Sequence, residues 1–175
     1  MAQVLGINGK KGDSMLPIKK IISPTDFSEP SYAGVEAANE LAAHFSAEMI
    51  LVHVVPPAHP FPPTRLQGDF EVLEYSEQMV AASRVSLDQV AKKMIAAKTP
   101  SLTLVLEGDP ADEIVNLSSS ETADLIVIAS HGWTGWHRFI FGSVAEKVVR
   151  FAPCPVLTIP VREGKERRGE ISAVR

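Results

Sequence analysis

The sequence holds a single cysteine, Cys154, so no disulfide can form within the chain. A zinc site built on cysteine pairs is argued against on the same ground. Pro153 and Pro155 flank the thiol and bring no positive charge to lower its pKa, so Cys154 reads as a small, buried apolar side chain. Nowhere do eighteen apolar residues run together, as a membrane-spanning helix would need. The N-terminus lacks the basic-then-apolar order of a secretory signal. Positive charge is not in excess: 17 basic residues against 21 acidic ones leave a net charge of −4, which argues against a broad grip on nucleic acid. Together these absences point to a cytoplasmic protein with neither a nucleic-acid nor a membrane partner.

Several catalytic signatures are missing as well. No lysine follows Gly142, so the phosphate loop G-x-x-x-x-G-K-[ST] is absent. Around Ser130 the hydrolase elbow G-x-S-x-G fails, because Ile128 stands where its first glycine belongs. Ser130 and His131 are neighbours, and adjacent side chains at a strand end point apart, which argues against a Ser-His nucleophile. The histidines are His44, His53, His59, His131 and His137, and no two of them are spaced H-x-x-x-H, so a histidine metal site is not expected. His53 falls within an apolar run and reads as a satisfied interior histidine.

What remains is an ordinary globular composition, 45% hydrophobic and 22% charged over 175 residues, enough for one domain with a sizeable core. Residues 1–16 are Gly- and Lys-rich without period and read as a flexible tail. Residues 161–175 are densely charged and read as a second tail. The folded unit is expected over 17–160. Inside it lie five short apolar runs: Lys20–Ser23 ended by Pro24, Met49–Val55, Leu102–Leu106, Leu125–Ala129 and Val156–Ile159. Most are continuous rather than alternating, as in strands buried on both faces.

Helical patterns separate these runs. Val35, Ala38, Leu41, Ala42 and Phe45 form one apolar face from Glu29 to Phe45, with Ser28 as N-cap and Pro30 in the first turn. Met79, Ala82, Val90 and Met94 mark a second helix over about Glu71–Ala97. Pro110 opens a third with Ile114 and Leu117, and Val144, Val148 and Phe151 mark a fourth over Ser143–Phe151. Strands and helices alternate, which predicts an α/β fold: a doubly wound, Rossmann-like, open five-stranded parallel sheet with right-handed crossovers. Such sheets bind ligands at the carboxyl ends of their strands.

Two strand ends carry polar residues of interest. Pro24-Thr25-Asp26-Phe27-Ser28 follows the first strand, and Asp26 there either caps the next helix or holds a sugar hydroxyl or metal–phosphate group. Ala129-Ser130-His131-Gly132 follows the fourth strand; nine residues later Gly142-Ser143 opens a helix. Glycines let a backbone approach an anion, and a helix N-terminus offers unpaired N–H groups, though a tight turn and a plain N-cap would look the same. His137 and Arg138 lie in the intervening loop, and Trp133 and Trp136 cover its underside or mark a partner surface. The five prolines of the Pro56–Pro63 stretch form a stiff connector beside the same edge or a lid over it.

Taken in order and at their spacing, these residues resemble the universal stress protein family. The likeness covers about Pro17 to Pro160. It rests on Ile21-Ile22-Ser23-Pro24-Thr25-Asp26-Phe27-Ser28, Leu51-Val52-His53-Val54 and Gly108-Asp109-Pro110. Its strongest part runs from Ile128 to Gly132 and, after the spacer, through Gly142-Ser143-Val144-Ala145-Glu146-Lys147-Val148 to Ala152-Pro153-Cys154-Pro155. The resemblance implies the strand order 3-2-1-4-5 and a homodimer joined through Val156–Ile159. For one branch of the family it implies ATP binding, alone or with Mg²⁺ or Mn²⁺, through the motif G-x2-G-x9-G-[ST]. Carried over by position, Gly132, Gly142, Ser143 and Val144 would hold phosphates and ribose, and Asp26 would face the ribose. Pro24, Thr25 and the backbone of Val54 would lie at the adenine side, with Ile128 and Ala129 flanking base and sugar. Ala129 departs from the motif's first glycine; its methyl is tolerated if the backbone is extended there and crowds the ribose if φ must be positive. The function expected is regulatory nucleotide binding in a stress response. A weak ATPase and a dimeric interaction module without nucleotide are the alternatives.

Overall fold

The computed structural model describes the backbone of residues 17–57, 68–130 and 142–160, and the side chains of these residues except 68–74. Among the described residues the order is β1 (Lys20–Pro24), α1 (Glu29–Phe45), β2 (Glu48–Val55), α2 (Gly68–Met94), β3 (Ser101–Glu107), α3 (Pro110–Ser120), β4 (Leu125–Ala129), α4 (Ser143–Phe151) and β5 (Val156–Ile159). All pairings are parallel, and the sheet runs β3-β2-β1-β4-β5. The chain therefore winds outward from β1 in both directions, and strand order reverses between β1 and β4. Both tails, at 1–16 and 161–175, and the stretches 58–67 and 131–141 lie outside the described residues.

The continuous apolar runs are explained by two cores, one on each face of the sheet. Ile21, Met49, Leu51, Leu125 and Val127 pack beneath α1 and α2, while Ile22, Ile50, Val52, Ile126 and Ile128 pack against α3 and α4. Neighbouring residues of one strand point to opposite faces, so a strand covered on both sides must be apolar at every position.

Pro24 does not end β1, contrary to expectation, but pairs with Val52 as its last residue. The odd residues of β1 bond β2, so the amide that proline lacks would have faced β4, and that pairing extends only to Ile22–Ile126. The second helix also differs from its expected span. It runs Gly68–Met94, and its buried line is Ser83, Leu87 and Val90 with Met94 half-buried, whereas Met79 and Ala82 are exposed. At 1.5 Å per residue a 27-residue helix is about 40 Å long, against about 26 Å for the eight residues of β2, so its first turns overshoot the sheet. Phe151 is likewise exposed rather than part of the α4 core face, and the Arg150 guanidinium lies 5.3 Å from its ring centre. Cys154 is half-buried, with its pKa pushed up to about 11 by burial and by the Asp124 carboxylate, which makes it an unreactive thiol.

At the amino edge of the sheet, Asp124 Oδ2 accepts from the amides of Lys19 and Lys20 at 2.7 and 2.9 Å and so anchors the start of β1. Lys20 Nζ bonds Glu121 Oε2 at 2.7 Å. One central polar atom is less well served. Ser23 is fully buried on the α1 side of β1, and its Oγ has no hydrogen-bond partner among the described residues. Leaving a buried hydroxyl unpaired costs about 1–3 kcal/mol. Ser23→Ala is therefore expected to raise stability, by about 1 kcal/mol after the loss of packing, in urea unfolding followed by circular dichroism. A loss of stability would mean that the hydroxyl is satisfied in solution.

Candidate functional site

The turn leaving β1 is built by short local bonds. Thr25 is buried, its Oγ1 lies 2.8 Å from Ser31 Oγ, and it accepts the Phe27 amide at 3.1 Å. Phe27 adopts φ 64°, which turns the chain sharply away from the sheet. Ser28 caps α1, accepting the Ser31 amide at 3.2 Å. Asp26 is exposed and does not itself cap the helix; its Oδ1 accepts both the amide of Ser28, at 3.0 Å, and the Ser28 hydroxyl. The carboxylate is thus oriented by the cap residue and held at the carboxyl edge of the sheet.

The other wall comes from β4 and α4. Ala129 is the last residue of β4, pairs with Ile159 and has an extended backbone, so no glycine-only conformation is required there. The amide of Ser130 donates to Ile159 O at 3.0 Å, and its carbonyl accepts the Gly142 amide at 2.8 Å. This returns the chain beside the strand it left and starts α4 at the sheet edge. Gly142 is the N-cap, with φ −59° and ψ 145°, ordinary values for any residue, and, being glycine, it offers no side chain to cap the first turn. The positive dipole end of α4 thus lies at the sheet edge.

Between these walls, at the switch point of the sheet, lies a cleft of about 250 Å³. Pro24, Thr25, Asp26, Val54, Ile128, Ala129, Gly142, Ser143 and Val144 all line it. Gly132, with Trp133, Trp136, His137 and Arg138, lies outside the described residues, as does most of the proline stretch beyond Pro57. The structure adds residues that the sequence did not single out for the site. Ser31 sits one turn into α1 beside Thr25, and Pro110 and Ile114 of α3 form a further side. Ile114 was legible only as a core position of a short helix, because nothing local says which helix end meets the cleft. His53 also lines it, half-buried, with Nδ1 2.8 Å from Thr25 O and its ring centre 4.2 Å from that of Phe27.

Between α4 and α3, Lys147 Nζ lies 3.5 Å from Oδ2 of Asp109, the N-cap of α3. The Asp112 amide, and then the nearby lysine, hold the Asp109 carboxyl below the usual carboxylate range. Among the described residues no three His, Cys, Asp or Glu side chains are grouped so as to hold a metal ion, and no helix is long and apolar enough to cross a membrane.

The fold and this cleft define a class: an open, doubly wound α/β domain whose candidate site combines a strand-end carboxylate with a helix N-terminus that begins at a glycine. The model of the universal stress protein family matches residues 17–160, and the chain belongs to that family. Universal stress protein MJ0531 of Methanocaldococcus jannaschii is 38% identical over 141 residues, which is 81% of either chain. Among solved structures, MJ0577, described there as a hypothetical protein whose biochemical function was assigned from its structure, superposes with a TM-score of 0.70 at 24% identity, covering 84% of this chain and 99% of the other. A universal stress protein in complex with cAMP gives 0.55 at 23% identity, covering 82% of this chain and 97% of the other. The universal stress protein from Archaeoglobus fulgidus in complex with dAMP gives 0.52 at 20%, covering 82% and 98%. At these identities the structural likenesses carry the fold.

Proposed function

We propose that this protein is a nucleotide-binding regulator of a stress response that takes ATP into the cleft between the β1–α1 turn and the start of α4. The observation that carries the reading is that the N-terminus of α4, through Gly142, Ser143 and Val144, shares one cleft with Asp26. A helix N-terminus favours phosphate, and a carboxylate across the cleft suits ribose hydroxyls. The extended backbone of Ala129 removes the conformational objection to its methyl. Two neighbours in fold hold adenine nucleotides, cAMP and dAMP. Where Mg²⁺ or Mn²⁺ accompanies the nucleotide, its ligands come chiefly from the phosphates, with the Ser143 hydroxyl and the Asp26 carboxylate as the chain's candidate donors. The sheet ends at β5, whose outer edge has no strand partner among the described residues and whose Leu157 is 41% exposed, which supports a homodimer formed along that edge.

Calorimetric titration of nucleotide-stripped protein with ATP and Mg²⁺ tests this. Saturable binding near one ATP per chain is expected, with light scattering of the same sample giving the mass of two chains. A flat titration with no competition from other adenine nucleotides would overturn the nucleotide reading.

A further inference from the structure

Asp26 is exposed, so packing does not fix its carboxylate; its place is set by the chain on either side of it. Several of the bonds that shape this turn are internal to it. Asp26 Oδ1 accepts the amide and the hydroxyl of Ser28, and Thr25 Oγ1 accepts the Phe27 amide. These bonds orient the carboxylate within the turn but do not tie the turn to the sheet. The pairing of β1 with β2 runs to Pro24–Val52, and just past it the Thr25 amide donates to Val52 O at 2.9 Å. The next residue of β2, His53, reaches the other end of Thr25 with its side chain: Nδ1 lies 2.8 Å from Thr25 O. A carbonyl can only accept, so Nδ1 carries the proton. That carbonyl belongs to the planar peptide joining Thr25 to Asp26, so the bond fixes the plane from which Asp26 departs.

On the far side of Asp26, Phe27 holds φ 64°, a left-handed backbone that a bulky residue seldom adopts. Such a conformation persists only where its surroundings over-determine it. The Phe27 ring lies against the same imidazole, with centres 4.2 Å apart and planes inclined by 31°. One side chain of β2 therefore grips the residue before Asp26 and the residue after it. We propose that His53 is the positioning residue of Asp26: by holding the Thr25 carbonyl and the Phe27 ring, it sets the turn so that the Asp26 carboxylate meets the ribose hydroxyls of the nucleotide. This rests on the nucleotide reading above and adds to it the residue that governs the preference for sugar. A histidine that only fills space would affect every nucleotide alike, whereas a positioning one affects those that carry ribose hydroxyls.

Two measurements on the full chain test this. The first is calorimetric affinity for ATP and for 2′,3′-dideoxy-ATP, which lacks the ribose hydroxyls. The wild type is expected to prefer ATP by about tenfold or more, as hydrogen bonds to a charged acceptor allow. His53→Leu is expected to lose that preference by weakening ATP alone, with dideoxy-ATP held within about threefold of wild type. On an Asp26→Ala background the same substitution is expected to cost nothing further, since the group it positions is gone. His53→Asn, whose amide nitrogen can replace Nδ1, is expected to restore the preference. The second measurement is the ring ¹⁵N spectrum of wild-type His53 at a pH where the ring is neutral, expected to show the proton on Nδ1. A proton on Nε2 would overturn the inference even if the leucine variant fails to fold. So would an undiminished preference for ATP in His53→Leu, or an equal loss of both nucleotides. A wild type that binds both nucleotides equally removes the ribose from Asp26 and the inference with it. A wild type that takes up neither overturns the nucleotide reading itself, whatever the ring spectrum shows.

Discussion

Gly142→Asp is expected to abolish ATP binding, by at least about a hundredfold, while leaving the fold as stable as before or slightly more so. The two effects have opposite signs and one cause. Gly142 is the N-cap of α4, its φ of −59° and ψ of 145° suit any residue, and glycine has no side chain to serve the first turn. An aspartate there can accept amides of that turn, a gain of a few tenths of a kcal/mol over glycine. The same carboxylate sits where the proposed site places phosphate. Two like charges 4 Å apart repel by about 4 kcal/mol at an effective dielectric of 20, and a hundredfold loss needs only about 2.7 kcal/mol. Gly142→Asn serves as the control, since it caps without adding charge. Calorimetry reads the affinity and urea unfolding the stability. ATP affinity of the aspartate variant within threefold of wild type would remove phosphate from the α4 N-terminus.

Gly34→Val is expected to cost about 3 kcal/mol of stability, lowering the melting temperature by about 6–12 °C for a domain of this size. Gly34 lies in the middle of α1, where glycine is ordinarily a penalty of about 1 kcal/mol against alanine. It is there because α1 crosses β4 at close range. A methyl built on Gly34 would come 3.0 Å from the Ala129 nitrogen and 3.5 Å from the Ile128 carbonyl carbon. Both are backbone atoms of an interior strand of the sheet and cannot swing aside as a side-chain tip would. Valine adds two further methyl groups to that contact and gains little helix propensity, so overpacking dominates. Gly34→Ala grades the effect: a net loss of about 1 kcal/mol is expected, because strain outweighs the propensity gain. A stabilised alanine variant would show that α1 can move away from β4. Because Ser31 lies one turn earlier and Ile128 and Ala129 line the cleft, both variants are also expected to weaken ATP binding.

Most strands were legible because they are local events. Leu125–Ala129 and Val156–Ile159 are short apolar runs bounded by breakers, and the structure keeps their limits. The first helix was equally plain, since Ser28 and Pro30 mark its start by chemistry that needs no distant partner. The second helix was misread at Met79 and Ala82, because spacing alone cannot show that a helix outruns the strands it covers. At the cleft, Asp26, Ala129, Gly142 and Ser143 could be named from their places after strands and before helices. Ser31, Pro110, Ile114 and His53 could not, since their part depends on what the fold sets opposite them.

The sequence by itself determined the alternation of strand and helix, the covering of the sheet on both faces and the ends of the strands where a ligand site would be sought. These follow from hydrophobic period, caps and breakers, which act over a few residues. The tertiary structure alone decided that the backbone at Ala129 is extended, that Gly34 must stay small, and that Thr25 O is answered by a side chain 28 residues away. Those outcomes depend on distances between residues far apart in the chain, which no local pattern specifies.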